Sequence, residues 1–243
     1  MSLYRDEAVV LRTYKLGEAD RIVVLLTSRH GKVRAVAKGV RKTKSRFGGR
    51  LEPPTHVALL MYEGRELDIV TQAETIDAFR PIREDLARMT DAMAMLEAVD
   101  QVAQEGEANP ALSRMLVGAL RTLADHRSSL LVAAFFWKLL SLDGAAPILD
   151  RCAGCGQEEA EAPGGLVSFD LVEGGTLCRD CRQGMSVRPE TLELIRRILG
   201  GRLGDALSEP PSPATAEVAG LATRSMEQHV ERRLRALRAI EFG

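Results

Sequence analysis

Short apolar runs broken by glycine and proline fill the first 80 residues of this 243-residue chain. Glu7 to Tyr14, Arg21 to Thr27, Lys32 to Lys38, Thr55 to Tyr62 and Leu67 to Ala73 are rich in Val, Ile, Leu and Thr. Gly17, Gly31, Gly39, Gly48-Gly49, Pro53-Pro54 and Gly64 separate them. Period-2 runs bounded by turn residues predict five strands, and so many strands in so short a stretch predict a small barrel or compact sandwich. A five-stranded Greek-key barrel of the OB type fits the size best, with an SH3-like barrel left open by the pattern.

Beyond Pro81 the period becomes helical. Leu86, Met89, Met93, Leu96 and Val99 mark one face of a helix over about 83–104. Asn109-Pro110 opens a second helix reaching Asp125, and Ser128 to Leu142 is apolar on nearly all sides, as the buried helix of a bundle is. Pro189 starts a further helix that Gly200-Gly201 stops. After a proline-rich loop at 209–213, a last helix is predicted to run to about Ile240, with Val218, Leu221, Met226, Val230, Leu234 and Leu237 in one stripe. The chain is thus expected to be α+β: an N-terminal five-stranded OB-type barrel over 1–80, a helical body over 81–150 and 186–243, and a cysteine module over 151–185 inserted in the C-terminal part.

Charge changes this picture more than composition does. The formal net charge of −1 hides an asymmetry: residues 1–80 carry 15 Lys and Arg against 10 Asp and Glu, leaving 18 against 24 for the remainder. Nine of those bases crowd the 22 residues from Arg29 to Arg50, which contain no acid. Lys32, Arg34 and Lys38 alternate along the third predicted strand, and Arg41, Lys42, Lys44, Arg46 and Arg50 continue into the following loop. Such a stretch attracts phosphates through counterion release. Phe47 within it either stacks on an unpaired base or anchors the loop in the core.

The four cysteines form two knuckles, Cys152-Ala-Gly-Cys155 and Cys178-Arg-Asp-Cys181, with 22 residues between them. Paired CxxC motifs at this spacing supply four thiolates for one tetrahedral Zn²⁺. His30, His56, His126 and His229 all lie outside the interval, so four sulfurs close the shell and the site reads as structural. An acidic metal cluster is absent from the sequence, as are the GxxxxGK[ST], GxGxxG, HExxH and GxSxG patterns, so no catalytic constellation is expected. The longest apolar run, Leu130 to Trp137, is too short for a membrane span, and the charged first residues do not suit a signal peptide. The expected compartment is cytoplasmic.

Several stretches together resemble bacterial RecO, a recombination mediator family. They are Tyr4-Arg-Asp-Glu-Ala-Val-Val-Leu11, Leu16-Gly-Glu-Ala-Asp-Arg-Ile22, Ala37-Lys-Gly-Val-Arg41 and Ser45-Arg-Phe-Gly-Gly-Arg-Leu-Glu-Pro53. The order of parts is similar along essentially the whole chain. The resemblance implies a non-enzymatic DNA repair protein, nucleoid-associated, that binds single- and double-stranded DNA and anneals complementary strands. It further implies contact with single-stranded-DNA-binding protein, and joint action with RecR to load RecA. It places DNA on the barrel face and following loop, at Arg34, Lys38, Arg41, Lys42, Lys44 and Arg46. The competing classes are a zinc-containing nucleic-acid-processing enzyme or RNA-binding factor, and an interaction scaffold that would leave the basic stretch without a role.

Overall fold

Five strands close into a barrel in the computed structural model, which describes residues 2–43, 45 and 47–238. The strands are β1 (Leu3–Leu16), β2 (Asp20–Thr27), β3 (Lys32–Ala37), β4 (His56–Tyr62) and β5 (Asp68–Asp77), in the order β1-β2-β3-β5-β4 with β4 returning to β1. All neighbours are antiparallel except β3 and β5, whose parallel pairing at Ala35–Asp68 and Val36–Ile69 closes the cylinder. This is the connectivity of an OB barrel, and closure leaves no sheet edge to aggregate.

The barrel interior is built by alternation. Ala8 and Val10, Val23 and Leu25, Ala35 and Ala37, and Val57, Leu59 and Met61 point inward from successive strands. Phe47 and Leu51, from the loop between β3 and β4, complete that core. Val9, Leu11, Val24 and Leu26 face the other way yet are also buried. Three helices account for part of this: α1 (Arg80–Arg83), α2 (Leu86–Val102) and α3 (Pro110–Asp125), of which α2 and α3 pack on β1. Gly31, at φ 69°, closes the β2–β3 turn where a Cβ would stand 2.1 Å from the Glu107 carbonyl oxygen, so only glycine fits.

The expected helix over 83–104 is α2, and the short α1 precedes it as a separate turn. Asp85 leaves the helical conformation and accepts from the Arg88 N–H at 3.0 Å, capping α2. Leu86 consequently lies outside the buried face and is exposed, and Ala92, Met95, Leu96 and Val99 form that face instead.

Contacts divide the described chain into two units, the first comprising the residues to His126 with α8 (Arg235–Arg238), the second Arg127–Leu234. In the second, α4 (Leu131–Leu142), α5 (Pro189–Leu199) and α7 (Pro213–His229) pack on one another, with short α6 (Leu203–Leu207) between the last two. A three-stranded sheet, β6 (Leu166–Asp170), β7 (Gly175–Cys178) and β8 (Met185–Ser186), carries the cysteine region in the order β7-β6-β8. Trp137 of α4 meets Phe169 of β6 edge-on at 5.9 Å between ring centroids. The expected final helix to Ile240 is broken. Glu231 turns left-handed at φ 51°, and the Arg232 N–H bonds back to the Glu227 carbonyl at 3.0 Å, a Schellman-type closure that ends α7 at His229. Ile240 itself lies outside the described residues.

Candidate functional site

The third strand carries Lys32 and Arg34 on its outer face, and the first unit's own acids meet both. Lys32, whose side chain is 14% exposed, donates to the Asp100 carbonyl at 2.6 Å and lies 3.7 Å from its carboxylate. Asp100 also pairs with Arg12 at 2.8 Å, so one buried carboxylate of α2 serves two cations. Arg34 pairs with Glu105 at 2.8 Å. The loop holding Glu105 runs beside β3: the Lys32 N–H bonds to the Gln104 carbonyl, and the Gly106 N–H to the Lys32 carbonyl. These acids were invisible to a local reading because they sit some seventy positions downstream.

The loop beyond β3 keeps its charge toward solvent. Lys38 and Lys42 are exposed. Arg41 is exposed too, and its guanidinium donates to the Glu18 carbonyl at 2.8 Å, tying the loop to the β1–β2 turn. Arg50 is exposed on the turn after Phe47. Lys44 and Arg46 lie outside the described residues. Phe47 is 1% exposed inside the barrel, which settles its two readings in favour of the core anchor. Arg83 fixes the far end of the loop: its guanidinium donates to the carbonyls of Glu52 and Pro54, both at 2.9 Å, and to the Thr55 hydroxyl at 2.5 Å. The cationic segment is thus pinned by a buried ring on one side and a multiply bonded guanidinium on the other.

The cysteines converge. All four sulfurs lie within 4.8 Å of one another, and Cys155 Sγ stands 3.9 Å from Cys178 Sγ. A metal–sulfur distance of about 2.3 Å sets a tetrahedron edge of roughly 3.8 Å, so the spacing suits four ligands around one cation. It is far too long for a disulfide, whose sulfurs sit about 2.05 Å apart. The first knuckle turns through Gly154, where a Cβ would press on Cys181 and Leu177 at 3.4 Å, and closes with the Gly156 N–H on the Cys152 carbonyl at 2.8 Å. The β6–β7 hairpin turns at Gly174 (φ 67°) and delivers Cys178. Burial disfavours charge on Cys152, but the backbone N–H groups of Cys178, Cys155 and Gly154 outweigh it and bring the thiol down to about 6. Cys181 is pushed up to about 12 by its own hydrogen bonds with Cys155, Cys152 and Cys178. One sulfur can hold charge alone, while four thiolates in so small a volume require a cation.

Comparison with known families agrees with this architecture. Residues 1–79 match the family model described as recombination protein O N terminal, and residues 83–238 match recombination protein O C terminal. The chain belongs to the recombination protein O family. The first of these matches ends where the barrel ends, and the second takes in α2 to α8 and the cysteine cluster. Membership in this family makes the protein one of DNA repair and recombination. Among the described residues, no helix is long and apolar enough to cross a membrane.

Proposed function

We propose that this member of the recombination protein O family is a non-enzymatic mediator that binds single- and double-stranded DNA, anneals complementary strands, and acts with RecR to load RecA. The observation carrying this reading is the acid-free loop from Lys38 to Arg50, held against an OB barrel with Lys38, Arg41, Lys42 and Arg50 exposed. Arg34 and Lys32 contribute less directly, since Glu105 and Asp100 already neutralise them. Lys44 and Arg46 extend the same segment in sequence.

The mechanism is electrostatic. Annealing requires two polyanions to approach, and the lysines and arginines replace the counterion atmosphere that otherwise holds them apart. Contacts confined to phosphates carry no sequence information, so base edges stay free to pair. Nucleotide hydrolysis has no place in such a scheme.

The cluster of Cys152, Cys155, Cys178 and Cys181 holds one Zn²⁺ in this account. Four sulfur ligands in tetrahedral array leave no open position for substrate, so the ion joins the knuckle to the β6–β7 hairpin and contributes to folding rather than to chemistry. The protein acts in the cytoplasm, on the nucleoid, with RecR and single-stranded-DNA-binding protein as partners.

A strand-annealing assay with complementary oligonucleotides, no nucleotide and no added metal tests the reading. Accelerated duplex formation supports it. Strand cleavage, base modification, or an unchanged annealing rate contradicts it. Pull-down with purified RecR and single-stranded-DNA-binding protein tests the partners, and loss of both would leave a DNA-binding protein without the mediator role.

A further inference from the structure

The strand registers place Tyr14, Ile22 and Val36 side by side on the outer wall of the barrel. Tyr14 is opposite Ile22, and Ile22 is opposite Val36. Tyr14 is 43% exposed, and Ile22 and Val36 are half-buried. The rung on one side holds Arg12, Val24 and Arg34, again in direct register. On the other side Leu16 faces Asp20, and Lys38 follows two residues after Val36 on the same face. An apolar, aromatic rung therefore lies between two rungs that carry cations, and the outer rungs are about 13 Å apart at roughly 3.3 Å per residue. The Arg12 guanidinium covers one face of the Tyr14 ring at 4.9 Å from its centroid, and its bond to Asp100 holds it there. The carboxylate of Asp20 is occupied by the Gly39 N–H at 2.7 Å.

We propose that Tyr14, backed by Arg12 and set between Ile22 and Val36, is a stacking platform for an unpaired base of single-stranded DNA. This deepens the DNA-binding reading and rests on it. Charge complementarity selects the occupant: Lys38 and Arg41 border the platform, and both are exposed. Tyr62 shows why an exposed tyrosine alone is insufficient. It is equally exposed and belongs to the same outer belt, since Val36 pairs with Ile69 and Ile69 with Tyr62. Glu63 and Glu66 follow it in the chain, however, and Glu74 lines its groove together with Arg50. Carboxylates offset the cation there, so the strand tracks across β1–β3 and not across β4–β5. Stacking engages the face that every base possesses, so the platform distinguishes open from paired strands without reading sequence.

Equilibrium binding to oligo-thymidine and to an abasic strand of equal length tests the platform. The parent protein is expected to bind oligo-thymidine at least about fivefold more tightly, the weak end of base–aromatic stacking. Tyr14→Ala should lose that preference, Tyr14→Phe should keep it, and Tyr62→Ala should keep it as well. A melting temperature for Tyr14→Ala close to the parent's confirms that the surface ring, and not the fold, was altered. A retained preference in Tyr14→Ala, or its loss in Tyr62→Ala, overturns the platform while leaving phosphate binding intact. Failure of the parent to bind either strand overturns the DNA-binding reading itself, and the platform with it.

Discussion

Arg34 on β3 is neutralised by Glu105 at 2.8 Å, although Glu105 sits in the loop between α2 and α3 of the first unit. The pair is exposed on both sides, so its contribution to stability is small, on the order of 0.2–1 kcal/mol. Its larger consequence is for ligand binding. Glu105→Gln frees the guanidinium for phosphate and removes a nearby repelling charge. We expect single-strand affinity to rise about two- to fivefold at low salt, with the melting temperature nearly unchanged, as titration of labelled oligonucleotide would show.

Phe47 gives a prediction of opposite character. Its ring belongs to the barrel core with Leu51, Met61 and Val70. Phe47→Ala opens a cavity there and should cost about 3–5 kcal/mol of stability, read from denaturant unfolding. Weakened DNA binding is expected only as far as the loop from Gly39 to Arg50 loses its anchor. Lost affinity at full stability would show instead that the ring reaches the ligand.

These two residues show where local pattern suffices and where it does not. Alternation located all five strands, because a barrel must present one face of every strand to its core. The paired CxxC spacing located the four cysteines that converge for a comparable reason: a tetrahedral site constrains spacing tightly. Pattern could not choose between core and ligand for Phe47, since both roles accept an aromatic in a loop. It gave no hint that Asp100 would meet Lys32, because that contact is made only when α2 packs on the barrel. The end of α7 was missed for the same kind of reason. Glu231 becomes left-handed where Leu234 is buried and the Ala236 N–H reaches Glu97 on α2, and none of these demands is local.

Metal content is directly measurable. Protein purified without added metal should contain about one equivalent of zinc, and Cys152→Ser should lose it. An ion held by the four cysteines would join two segments of the second unit, so its removal by chelator should lower the melting temperature of that unit. Stoichiometric iron, or a native disulfide among the four cysteines, would contradict the assignment.

Acid should destabilise the barrel unit through two groups. Asp6 is fully buried; burial alone would raise its pKa, but bonds from Ser28, His30 and the backbone N–H groups of Glu7 and Arg29 outweigh this and lower it. Burial lowers His56 as well, favouring the neutral ring. Both folded-state values lie below the unfolded ones, so both contributions are present at neutral pH and are lost as pH falls. The His56 share begins to fade below about 6.5, its ordinary value, and the Asp6 share below about 3.8. Unfolding free energy followed from pH 7 to 3 should decline in that order, and His56→Gln should remove the upper part of the decline.

The central claim is that DNA is held through phosphates by the exposed loop cations, and the salt dependence of single-strand affinity tests it most directly. With about four to six phosphates contacted at roughly −0.7 each, the log–log slope should lie near −3 to −4. Replacing Lys38, Arg41 and Lys42 together with alanine should flatten it by about two units and slow annealing in parallel, for every strand sequence alike. A triple variant that keeps the parent's slope, affinity and annealing rate would contradict the account.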